Sequence, residues 1–172
     1  MRKSRFFLPL VLLVLACSTP KQPRNIEIVP GISISIPQKY ELTVAEKDDT
    51  VNYPKRWHTS IGDDHFAVYR YSIIQSDSLD PDIKKLAFKN NIDAFIKTFD
   101  FKDVDSTYQN NGNIFQSDIK FDYSFNGDNY RFFGKFLASK NNFIAFCFQT
   151  PFPVDKSSKS IKDKLFASIE IK

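Results

Sequence analysis

The chain has 172 residues, of which 42% are hydrophobic and 15% aromatic, with 24 Lys and Arg against 20 Asp and Glu. Setting the first residues apart removes Arg2, Lys3 and Arg5 and leaves 21 basic against 20 acidic side chains, which excludes a nucleic-acid footprint and makes the overall basicity a property of the leader. The length suits one domain with a substantial core.

Arg2, Lys3 and Arg5 open the chain, and an apolar run from Phe6 to Leu15 follows, interrupted by Pro9 and too short to span a bilayer as a mature helix. Small Ala16 precedes Cys17, and the polar stretch Ser18-Thr19-Pro20-Lys21-Gln22-Pro23 comes next. These features predict an export signal over residues 1–16 and a tether over 17–25. The ending Val14-Leu15-Ala16-Cys17 resembles the lipobox of bacterial lipoproteins. That resemblance implies cleavage before Cys17, acylation of its thiol, and a cell-envelope protein held on the membrane without spanning it. Each buried methylene of an acyl chain contributes about 0.8 kcal/mol, so a multiply acylated cysteine is a stable anchor. Ser18 is not an aspartate, so in a diderm the usual sorting signal implies the outer membrane. With Cys17 acylated, Cys147 is the one remaining thiol, and no intramolecular disulfide can form.

Residues 26–172 are expected to form the folded domain. Ile26 to Val29 reads as a short strand and Pro30-Gly31 as a turn. Ile32-Ser33-Ile34-Ser35-Ile36 alternates strictly and stops at Pro37, the pattern of a half-buried strand. Tyr40 to Ala45 is expected to return as its partner, with Glu46-Lys47-Asp48-Asp49 as a solvated turn. Lys55 to Ile61 and His65 to Ile74 read as a hairpin joined by Gly62-Asp63-Asp64. Its histidines, His58 and His65, raise a metal site or a general base as hypotheses; an exposed turn with no second ligand cluster favours ordinary polar residues instead.

Asp80 as N-cap and Pro81 at the first helical position predict a helix to about Phe99. Its apolar residues fall on two stripes, Phe88, Ile92, Phe95, Ile96 and Phe99 against Ile83, Leu86, Ala87 and Ala94, so the helix either is covered on both sides or breaks near Asn90-Asn91; the preferred reading is a continuous helix with the Phe88 stripe on a sheet and the Ile83 stripe under a loop. A meander follows: Phe101 to Tyr108, then a strand whose Ile119, Phe121, Tyr123 and Phe125 alternate with polar residues, an Asn126-Gly127-Asp128 turn, Tyr130 to Ala138, and Phe143 to Phe148. The last run is apolar on both faces and needs cover on both sides, and Cys147 within it reads as a small core residue. A final helix is expected near Ser160 to Ile169. The fold class is therefore α+β, an antiparallel sheet sandwiched between helices. Five glycines form no phosphate-cradling loop, and no residue pattern implies a cofactor or a metal.

The strand Ile32 to Ile36 followed by Pro37-Gln38-Lys39-Tyr40, the helix after Ser78-Leu79-Asp80, the three long strands and the closing helix together resemble the PsbP-like family. That family includes extrinsic photosystem subunits, a small nuclear-transport regulator and many bacterial lipoproteins. The resemblance implies an α/β/α sandwich and binding or assembly work rather than catalysis; it brings no fixed active site. A fainter likeness in layout runs to a gliding-motility lipoprotein of the Bacteroidota. Two roles are carried forward: an anchored accessory module that docks on another envelope protein, with an exposed aromatic patch, or a carrier of a small apolar ligand or lipid, with a cavity between sheet and helix. The candidate partner-binding residues are Tyr53, Arg56 and Trp57, since Trp, Tyr and Arg dominate binding hot spots. The alternative for Trp57 is a place in the core.

Overall fold

The computed structural model describes residues 22–45, 55–73, 80–97, 101–111, 114–139 and 141–172. Among the described residues, ten strands and two helices follow one another: β1 (Arg24–Val29), β2 (Ile32–Ile36), β3 (Thr43–Ala45), β4 (Lys55–Ile61), β5 (Asp64–Ser72), α1 (Pro81–Ile96), β6 (Phe101–Asn111), β7 (Ile114–Phe125), β8 (Asp128–Ser139), β9 (Asn142–Pro151), α2 (Lys156–Ala167) and β10 (Ile169–Ile171). The architecture is α+β with antiparallel sheets. A seven-stranded sheet runs in the order β3-β4-β5-β9-β8-β7-β6, and a three-stranded sheet runs β1-β2-β10.

Each end of the meander follows from local chemistry. Asn126 and Gly127 both adopt positive φ, as the tight turn between β7 and β8 requires. Pro151 closes β9 because it has no N–H to continue the ladder. Asp80 accepts from the Asp82 N–H at 2.7 Å and starts α1, with Pro81 next to it.

Strand β9 lies in the middle of the large sheet and divides two cores. Ile144, Phe146 and Phe148 join Trp57, Phe66, Val68 and Leu137 on one face, beneath Ile32, Ile34 and Ile36 of β2 and Leu165 of α2. Phe143, Ala145 and Cys147 join Phe115, Phe121, Phe132 and Phe136 on the other, beneath Phe88, Ile92 and Ile96 of α1. Complete burial of a Phe side chain stabilises by about 1.5–3 kcal/mol, so this double layer of rings is a main source of the fold's stability.

Several expectations are corrected. Tyr40 to Ala45 does not pair with β2; Tyr40 closes a turn on the Pro37 carbonyl, and Thr43–Ala45 pairs with β4. Strand β2 already has β1 on one edge and β10 on the other, so no edge remains for that segment. Strand β1 begins at Arg24, inside the stretch expected as tether. Helix α2 starts at Lys156, four residues before the expected Ser160, because Asp155 caps it by accepting from the Ser158 N–H at 2.7 Å. Ile169 leaves that helix and pairs with Ile34. The second stripe of α1 is not covered, for Ile83 and Leu86 are 52% and 59% exposed. Opposite α1, the sheet is covered by the small sheet together with α2 rather than by a helix alone. The expected turn at Glu46 to Asp49, the loop before Asp80 apart from its last residue, and Phe99 lie outside the described residues.

Candidate functional site

The expected partner-binding stretch does not form one surface. Trp57 is 6% exposed and packs in the core beneath the small sheet. Arg56, its neighbour in β4, is half-buried and points to the α1 side, since successive strand residues alternate faces. A hot spot using both side chains is excluded by that geometry. Tyr53 and Cys17 lie outside the described residues.

Arg56 instead belongs to a small polar pocket of about 160 Å³ at the β4-β5 corner of the α1 face. Register builds it. Arg56 pairs with Tyr69, His58 with Ala67, and Ser60 with His65, while β9 places Ala145, Cys147 and Gln149 beside those three β5 residues. Ala67 and Cys147 are the smallest groups in the middle row and form the floor, with longer polar side chains around them. Burial pushes the Cys147 thiol well above its usual range, so it is an inert core group rather than a nucleophile. Burial and the nearby Arg56 charge both hold His58 below its ordinary value. Ser60 Oγ lies 3.2 Å from His65 Nδ1. The aspartate next to His65 is turned away: Asp64 is buried on the opposite face, where it accepts from Ser158 Oγ at 2.9 Å. Among the described residues no carboxylate lines the pocket beside the histidines, as a Ser-His-Asp arrangement would need. No group of three or more His, Cys, Asp or Glu side chains suited to a metal occurs among the described residues.

A larger opening lies on the opposite face. The small sheet and α2 cover the β4-β5-β9 half of the large sheet, and a groove of about 440 Å³ runs beside α2 over β6, β7 and β8. Asp105, Asp118, Lys120, Lys135 and Lys162 line it, with Phe133 in its floor. The charges are largely paired, Lys120 to Asp105 at 3.2 Å and Lys135 to Asp118 at 2.9 Å. The Lys162 ammonium stands 4.8 Å over the Phe133 ring. One step further along the ladder, Arg131 grips Asp122 through two bonds of 2.6 and 2.7 Å and holds the Asp122 carboxyl below the usual carboxylate range. The same guanidinium lies 4.6 Å over the ring of Phe152, which is exposed, as is Phe125 at the β7-β8 turn. The Phe152 N–H bonds to Asn129 O, which brings both rings to one end of the sheet. Phe152 is thus an exposed ring stacked under Arg131 on this face, whereas Phe125, two residues on from Tyr123 in β7, takes the α1 side of the sheet. Their flanking Asn126-Gly127 and Pro-rich sequences are the signals that mark exposed turns.

The two cores, the sheet order and this layout are those of a PsbP-like fold. Among solved structures, cyanobacterial PsbP (CyanoP) from Synechocystis superposes with a TM-score of 0.57 at 10% identity, over 88% of this chain and 93% of that one. The Saccharomyces cerevisiae Ran-binding protein Mog1p gives 0.51 at 9% identity, over 87% and 95%. A Bacteroides thetaiotaomicron protein gives 0.51 at 13% identity over 88% of this chain, which spans about half (49%) of that longer structure. These identities establish the fold alone. No protein-family model matches the sequence, and no curated protein matches it. No helix among the described residues is long and apolar enough to cross a membrane.

Proposed function

We propose that the chain is an envelope lipoprotein, anchored through acylated Cys17, whose PsbP-like domain is a non-catalytic accessory module that docks on another envelope protein. One observation carries the docking surface: the half of the sheet face that α2 and the small sheet leave open, continuous from Lys135 and Asp118 through Lys120 and Phe133 to Arg131 and Phe152. It combines an exposed aromatic ring with the arginine stacked on it, the kinds of side chain that anchor interfaces, and a rim of paired charges that fixes orientation. Its five charged lining groups make it a poor container for an apolar ligand, because burying them under a lipid tail would strip their hydration. Mog1p, a Ran-binding protein of the same fold, accords with a binding role for this chain. Six residues, Ser18 to Pro23, reach at most about 20 Å from the anchor, so the partner lies close to the bilayer.

Two experiments test the two parts. Labelling with a clickable fatty acid should mark the parent and not Cys17→Ser; equal label in both overturns the anchor. Photocrosslinkers placed at Thr107 and Phe152 should capture the same partner in native membranes, and one at Asp93 on α1 should not. Phe152→Ala should lose that partner at an unchanged melting temperature, and retained capture overturns the surface.

A further inference from the structure

We propose that the pocket framed by Arg56, His58, His65, Tyr69 and Gln149 binds a carboxylate group. It lies on the α1 face, away from the docking groove, so the inference does not depend on that reading.

The first argument is an excess of donors. Arg56 lines the pocket, and its Nε is buried without a hydrogen-bond partner. Leaving a buried donor unsatisfied is costly, and the residue that carries it lines an opening that an acceptor can enter. Gln149 is oriented by Tyr123, whose hydroxyl donates to Oε1 at 3.0 Å; the amide nitrogen is thereby left as a donor. His65 meets the Ser60 hydroxyl at Nδ1, so its second nitrogen, Nε2, is the one that can serve a ligand. No acidic side chain among the described residues lines the pocket, so the excess of donors is not neutralised from within.

The second argument is shape and charge. The floor is made of Ala67 and Cys147, and the volume of about 160 Å³ admits a group of a few heavy atoms rather than a nucleotide or a sugar. Burial and Arg56 both favour neutral His58, which leaves one guanidinium as the principal charge and suits a monoanion better than a dianionic phosphate. A planar carboxylate matches the planar guanidinium fork, where two parallel N–H bonds add direction to attraction. The source is either a free small acid or a carboxylate carried by a polypeptide, at its C-terminus or on an acidic side chain.

The chain has two histidines and both line this pocket, so selective isotope labelling of histidine gives an NMR spectrum that reports on the site alone. The full chain in detergent micelles is titrated with sodium acetate, with tetraglycine, with tetraglycine amide, with inorganic phosphate and with sodium chloride at matched ionic strength. Acetate is expected to shift both histidines saturably and to raise the titration midpoint of His58, since a bound anion offsets the Arg56 charge. Arg56→Gln should abolish the response, and Arg56→Lys, which keeps the charge but not the fork, should weaken it about tenfold, each at an unchanged melting temperature. Tetraglycine acting at tenfold lower concentration than acetate, with its amide inert, identifies a polypeptide source; the reverse order identifies a free acid. The proposal is overturned if chloride reproduces the shifts, if phosphate acts at tenfold lower concentration than acetate, or if no anion moves either histidine. Should Arg56→Gln fail to fold, the Arg56→Lys response and the chloride comparison on the parent still decide it.

Discussion

Gly134 is where the ring layer beneath α1 is most sensitive. A Cβ added there would lie 2.5 Å from Phe136 Cε2 and 2.6 Å from Phe132 Cε1, about 1 Å inside the ordinary carbon contact of roughly 3.5–4 Å. Neither ring has room to retreat. Both are fully buried; Phe132 stacks on Phe121 at 4.6 Å, and Phe136 is held between Phe95 at 5.3 Å and Phe143 at 5.8 Å. Overpacking of this kind costs about 1–3 kcal/mol, and two rings must move, which favours the upper part of that range. The backbone works the other way: Gly134 lies outside the left-handed region, so Gly134→Ala regains about 0.5–1 kcal/mol. The net expectation is a loss of about 1.5–2.5 kcal/mol, or a fall of about 1 M in urea midpoint for a slope near 2 kcal/mol per M. Gly62→Ala is the contrast, because φ there is +63° and nothing lies within 4 Å of the added Cβ; its cost of about 1 kcal/mol comes from backbone strain alone. Trimming Phe136 to Leu should partly rescue Gly134→Ala and leave the cost of Gly62→Ala unchanged. If Gly134→Ala unfolds at or above the parental midpoint, the ring layer is looser than described and the argument is wrong.

Phe146→Ala should cost about 3–5 kcal/mol, since its ring is fully buried beneath the small sheet, while Lys120→Ala on the open face should cost under about 0.5 kcal/mol; similar shifts in chemical denaturation would contradict the sheet assignment. Ser158→Ala removes the hydrogen bond to the buried Asp64 carboxylate that ties α2 to β5 and should lower stability by about 1.5–3 kcal/mol, so a neutral result in the same assay would show that α2 docks without it. Burial, reinforced by neighbouring phenols, pushes Tyr71 and Tyr123 up to about 12. The folded chain keeps those protons where the unfolded chain loses them near pH 10, so their contribution is complete below pH 10 and lost as pH approaches 12. Phenolate absorbance should therefore rise in step with unfolding for these two groups, and full ionisation near pH 10 in the folded state would refute it.

Much of the fold was legible because long strands carry their own signal. Phe143 to Phe148 announces a strand covered on both faces, and Asn126-Gly127 announces a tight turn. The second sheet was hidden for the opposite reason. Strand β10 is three residues long, and its Ile169 continues the helical spacing of Ile161 and Leu165; what decides its conformation is the open edge of β2, a partner 135 positions away in the chain. Burial of Trp57 was nearer to hand. Once Lys55 to Ile61 is a strand, Arg56 and Trp57 must face opposite ways, and a hot spot containing both conflicts with the strand that carries them.

The histidine pocket shows how one residue of register conceals a site. A turn of three residues, Gly62 to Asp64, would pair Ile61 with His65 and so set His58 opposite Val68, on the other face of the sheet from His65. The structure closes the hairpin on two residues, Gly62 and Asp63, with Ile61 paired to Asp64 and Ser60 to His65. Gly62 alone of the two has positive φ, as a type II′ turn asks. Every β5 side chain then changes face relative to the longer turn: Asp64 goes in to meet Ser158, Phe66 and Val68 enter the core, and His65 comes round to the side of His58 and Arg56. The apolar pattern alone selects this register, because the longer turn would put Phe66 and Val68 opposite Ser60 and His58, on the face away from Trp57, and bury His65 beside it. An insertion of one glycine between Gly62 and Asp63 tests the same logic. If burial of Phe66 and Val68 holds the register, the extra residue is absorbed in the turn and both histidine signals persist with a small loss of stability. If the turn dictates register, the insertion flips β5 and the two histidines no longer respond together to acetate.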